Sequence, residues 1–248
     1  MFEVACLLAV FSVPIAIVIA LSCMDDARCE KATSVLLAVH APVLLCFMIF
    51  ALPHPSGRIA TGLLAAVTGA TFGITPTLAI FSAARVKRFK KLAGYVVFLT
   101  TVDFLVCFLS LGSMREAFDN AALGNAAFVL YFFGGFTVLP IVAATAFSPF
   151  VALARLEDAV CEKTTTALLS ANALFLLLLV SERESPFLLT LEIFGSAAFY
   201  EFFAAPILVV FSVVRLRRFK TFAGVLLILI VINAAFWFPV MNVLLYMT

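Results

Sequence analysis

The chain has 248 residues, 65% of them hydrophobic and only 12% charged, with 16 basic against 14 acidic side chains, a net charge of +2 and a mean hydropathy of +1.21. That balance leaves too little polar surface for a soluble domain of this size. The basic residues are confined to short loops at the edges of apolar stretches, so no nucleic-acid partner is expected.

Eight apolar stretches are long enough, or nearly so, to cross ~30 Å of hydrocarbon. They run Val4 to Ser22, Thr33 to Leu52, Ile59 to Ala84, Leu92 to Gly112, Ala126 to Ala154, Thr164 to Val180, Pro186 to Val214 and Phe222 to Met247. The expected fold class is therefore all-α and polytopic. The first stretch carries Glu3 in place of a basic n-region, and no Ala-x-Ala-like site follows it, so it reads as a retained span. The second opens at Cys29-Glu30-Lys31, with Asp26 predicted as the helix cap and Glu30 in the first turn, where the dipole favours negative charge. His40, close to Pro42, reads as a packing residue.

The third stretch passes Thr68 to Thr77, rich in small and hydroxyl residues, and contains Pro76. Proline removes a backbone donor, so a broken helix lining a solute site is one expectation and an ordinary packing helix the other. A basic turn, Arg85 to Lys91, leads into the fourth stretch, which holds Asp103. The fifth, from Ala121 to Ala154, is too long for one straight span and too short for two. It reads as one tilted helix, with Pro140 and Pro149 as bends. The sixth repeats the acidic opening at Asp158 and Cys161-Glu162-Lys163. The seventh holds Glu192, Glu201 and Pro206, and a second basic turn, Arg215 to Lys220, precedes the eighth, which holds Asn233.

These parallels are an internal duplication. Asp26 to Leu37 and Asp158 to Leu169 share 8 of 12 residues at an offset of 132, and Pro76 to Gly94 and Pro206 to Gly224 share 10 of 19 at an offset of 130. Repeated sequence implies a repeated module. The expected division is a four-helix repeat over residues 1–112, a connecting segment over 113–125 and a second four-helix repeat over 126–248. An even number of spans per repeat brings the second in with the orientation of the first, a parallel pair about a pseudo-twofold axis along the membrane normal.

Threading the chain through eight spans puts thirteen basic residues on one side and only Arg58, Arg115 and Arg183 on the other. The basic side is expected to face the cytoplasm, or the matrix or stroma, of a plasma, inner or organellar inner membrane, with both termini on the opposite side. Arg85, Lys87, Arg88, Lys90 and Lys91, with Arg215, Arg217, Arg218 and Lys220, would meet anionic lipid headgroups or a partner protein.

Six cysteines form neither a disulfide framework nor a zinc pattern, and two histidines are too few for a haem held in each half. No cofactor, metal or catalytic residue is expected, and no nucleophile or phosphate-loop motif marks an enzyme. The polar residues that stand out are the acids. Asp103 lies 12 residues from Lys91 and Glu201 14 residues from Arg215, so at ~1.5 Å per residue both fall near the midplane. An acid there costs roughly 2.5–3.5 kcal/mol on insertion scales. The duplication breaks at both, since Asp103 aligns with Asn233 and Glu201 with Thr71. With no Lys or Arg deep in a span, the acids need a proton, a cation or water. The site expected from this is Asp103, Glu201, Thr71, Asn233, Pro76 and Pro206, in a small transporter or channel-like protein for a proton, cation or small polar solute. The alternative is a non-catalytic subunit packing with membrane-protein partners or with copies of itself, in which each acid is satisfied by a hydroxyl such as Thr100.

Overall fold

A computed structural model describes residues 2–50, 74–120, 147–184 and 191–247. All regular structure among them is helical. The first helix, α1, spans Phe2–Ser22, and α2 spans Asp26–Phe50. Residues 74–85 form α3, which closes in a 3-10 turn at Val86–Arg88 before α4, Ala93–Asn120. Residues 147–155 form α5, followed by α6 over Asp158–Glu184 and α7 over Leu191–Arg215. A second 3-10 turn, Leu216–Arg218, leads to α8, Ala223–Met247.

Prolines sit inside α1, α2, α7 and α8, at Pro14, Pro42, Pro206 and Pro239. Such helices are costly in water but common in lipid, where neighbouring groups satisfy the freed carbonyls. Among the described residues two helical segments, Asp158–Ser181 and Ala223–Val240, are long and apolar enough to cross a membrane. Shorter apolar helical stretches lie at Ser12–Ser22 and Ala93–Cys107. Large apolar side chains point outward along several helices, among them Val35, Val39 and Val43 on α2 and Val225, Ile228 and Val231 on α8.

The chain divides into two compact units, Met1–Ala152 and Leu153–Thr248. In the first, α2 packs chiefly on α4; in the second, α6 packs on α8 and α8 also on α7. Helix directions follow from the side-chain bonds. Arg85, at the end of α3, approaches Asp26 at the start of α2, so these two run antiparallel. Glu30, one turn into α2, accepts a bond from the N–H of Leu92 at the start of α4, so α2 and α4 run parallel. The same contacts recur in the second unit as Arg215 with Asp158 and Glu162 with the Phe222 N–H. Each unit thus collects its basic turn and two helix starts at one end.

One detail departs from expectation. The cap of α2 is Asp25, whose Oδ1 accepts the Arg28 N–H at 2.9 Å, because it is the residue just outside the first turn. Asp26 pairs with Arg85 instead, 3.8 Å away. Helix α4 continues through Ser113 to Asn120, into the segment expected to connect the repeats. Of the fifth predicted span only 147–155 is described, so Pro140 lies outside the described residues.

Candidate functional site

The polar interior of each unit is built on two levels. The lower level is the basic end. Cys29 and Cys161 are fully buried one turn into α2 and α6. Each Sγ receives a guanidinium N–H, from Arg85 at 3.9 Å and from Arg215 at 3.2 Å, and lies near a threonine hydroxyl, Thr33 or Thr165. The same arginines stack 5.5 Å over Phe81 and Phe211. Glu30 and Glu162, both buried, each accept an N–H from the start of the next parallel helix. A carboxylate serves well there, because the first N–H groups of a helix lack intrahelical partners and carry partial positive charge.

The upper level lies ten residues further along α2 and α6, ~15 Å from the glutamates at the α-helical rise. In the first unit the His40 Nδ1 lies 2.6 Å from Asp103 Oδ1. The Asp103 side chain is 1% exposed and His40 12%. His40 Nε2 and Asp103 Oδ2 are buried and have no hydrogen-bond partner among the described residues. In the second unit Asn172 Nδ2 donates to Asn233 Oδ1 at 2.9 Å and to Glu201 Oε2 at 3.1 Å. Asn233 Nδ2 donates to the carbonyls of Leu169 and Leu229. Glu201 and Asn233 are fully buried, and Glu201 Oε1 has no partner among the described residues.

The duplication maps the upper level of one unit onto that of the other. His40 plus 132 is Asn172, and Asp103 plus 130 is Asn233. The imidazole–carboxylate pair of the first unit and the amide–amide pair of the second therefore occupy equivalent places, joining α2 to α4 and α6 to α8. Sequence reasoning gave His40 a packing role and passed over Asn172. The signal available was their equal spacing from Glu30 and Glu162, which puts a polar residue at the same height as Asp103 and Asn233. The expectation that no basic group reaches Asp103 is corrected, because His40 does. Nor does Thr100 serve as its hydroxyl partner: that hydroxyl donates to the Val96 carbonyl of its own helix at 2.8 Å.

Of the other expected site residues, Thr71 lies outside the described residues, as does the approach to Pro76. Pro76 falls in the first turn of the described part of α3. Helix α7 is continuous from Leu191 to Arg215 with Pro206 inside it. Lys87, Arg88, Lys90, Lys91, Arg217, Arg218 and Lys220 are exposed around buried Phe89 and Phe219, whereas Arg85 and Arg215 turn inward to the cysteines. Among the described residues no three His, Cys, Asp or Glu side chains gather as a metal site would require. Compared with protein-family models, with curated proteins and with solved structures, the chain finds no match.

Proposed function

We propose that the chain is an eight-span integral membrane protein of two four-helix repeats, entering the membrane from the same side, that moves a proton, a cation or a small polar solute. The basic end of each unit would face the cytoplasm, matrix or stroma, leaving both termini on the other side. The observation that carries the reading is the His40–Asp103 pair. An acid and an imidazole bonded to each other, ~15 Å from the charged end of an apolar bundle, are expensive to bury. One atom of each is left without a partner among the described residues, as a group that exchanges protons or holds a solute requires. Glu201 supplies the second acid, and the exposed lysines and arginines of the basic turns would hold anionic headgroups.

The test is flux through purified protein in proteoliposomes under a pH or cation gradient. Asp103→Asn keeps an acceptor for His40 and should leave folding intact while lowering coupled flux at least tenfold. Unchanged flux in the Asp103→Asn, Glu201→Gln double substitution would sink the transport reading.

A packing subunit is the second reading, favoured by one observation. Buried hydroxyls of Ser34, Thr100, Thr164 and Ser212 bond back to carbonyls of their own helices, so none of them is committed to a solute. Stable co-purification with a membrane partner, together with absent flux, would favour it.

A further inference from the structure

We propose that Asn172, Glu201 and Asn233 form a binding site for a monovalent alkali cation. The inference deepens the reading of Glu201 above. It relies on that reading for passage of the ion and not for its binding.

The argument begins with the Asn172 amide. Its nitrogen lies 3.1 Å from Glu201 Oε2 and 2.9 Å from Asn233 Oδ1, so two oxygens from two helices converge on one point. The N–H2 group now standing there supplies only partial positive charge to the acid of a fully buried side chain. Glu201 Oε1 gains nothing from it and has no partner among the described residues. A half-turn of the Asn172 amide would bring its carbonyl oxygen to the same point. Three oxygens would then face one another, an arrangement that repels unless a cation lies among them. Carboxylate and carbonyl oxygens are the donors that hard cations take.

Charge chooses the valence. With Glu201 ionised, one carboxylate and two neutral amides are neutralised by a single positive charge, and a divalent ion would leave a net charge buried. Asn233 is already held in place by its bonds to the carbonyls of Leu169 and Leu229, so its oxygen is positioned before any ion arrives. The first unit supports the contrast. At the places of Asn172 and Asn233 it carries His40 and Asp103, an acid facing a side chain that can itself become a cation. The second unit has an acid and no such side chain among its partners.

The test is equilibrium binding of radiolabelled sodium to the full chain in detergent micelles without any gradient, with potassium as competitor and choline holding the ionic strength. Saturable binding of one ion per chain is expected, weakened at least tenfold in Glu201→Gln and in Asn172→Ala. Should Glu201→Gln fail to fold, Asn172→Ala and the wild-type isotherm still decide. Absence of saturable sodium or potassium binding by the wild type overturns the proposal, as does equal binding by the variants. Thermal stability that follows pH but ignores both cations assigns Glu201 a proton and overturns it too. Because no flux is measured, binding that survives alongside failed transport would sink the transport reading and leave the site standing.

Discussion

The two units agree at their basic ends and disagree ten residues further in. At the ends, cysteine, arginine, glutamate and aspartate meet in the same way twice, down to the helix N–H that each glutamate accepts. Deeper, the same positions hold His40 with Asp103 in one unit and Asn172 with Asn233 in the other. A contact retained in both copies is explained by what each unit needs to stand. A contact that differs between copies, at equal depth and between equivalent helices, is where the copies have parted in chemistry.

The strongest way to break this comparison is to remove His40. His40→Leu strands Asp103 in the interior, and a buried polar group left without its partner costs about 1–3 kcal/mol. Unfolding in detergent should register that loss. Copying the second unit with His40→Asn and Asp103→Asn together should recover stability to within about 1 kcal/mol of wild type, because the amides bond to each other as Asn172 and Asn233 do. A double variant as unstable as the single would mean the two pairs are not equivalent.

The glutamates test the agreement. Glu30→Ala and Glu162→Ala each remove a charged acceptor from a helix start, worth about 1.5–3 kcal/mol. Equal losses are expected, and losses differing by more than about 1 kcal/mol would show that the two ends do not serve the same purpose. Arginine contributes less. Arg85→Lys and Arg215→Lys should each cost below about 1 kcal/mol, since lysine keeps the charge but loses the planar fork. They should nevertheless speed maleimide labelling of Cys29 and Cys161. The larger acceleration is expected at Cys161, where the guanidinium sits closer. Smallest of all, Lys87→Gln with Lys90→Gln should change stability by no more than about 0.5 kcal/mol, both side chains being exposed. Binding to vesicles of anionic lipid should weaken by about 1 kcal/mol per lysine removed.

Much of the helical layout was legible because it rests on local pattern. The predicted span Phe222 to Met247 and α8 differ by one residue at the start, and α7 ends one residue from its predicted limit. The acids were legible as costly residues in an apolar run. Their partners were not, because His40 and Asn172 lie 63 and 29 residues from the groups they bond, and no local period links such positions. Only the duplication could have paired them, by carrying the known height of Asp103 across to Asn233 and back to α2 and α6. Thr71, the counterpart of Glu201, falls outside the described residues, so the third member of that comparison stays an expectation.

The two bonds between α2 and α4 have a mechanical consequence. Glu30 holds Leu92, and ten residues higher His40 holds Asp103. Two pins at separate heights on parallel rods prevent the rods from sliding and from scissoring about either pin. The pair becomes a stiff strut, and Glu162 with Phe222 and Asn172 with Asn233 brace α6 and α8 in the same manner. Any movement of these helices must carry each strut whole, or else break its upper pin, the His40–Asp103 bond in one unit and the Asn172–Asn233 bond in the other.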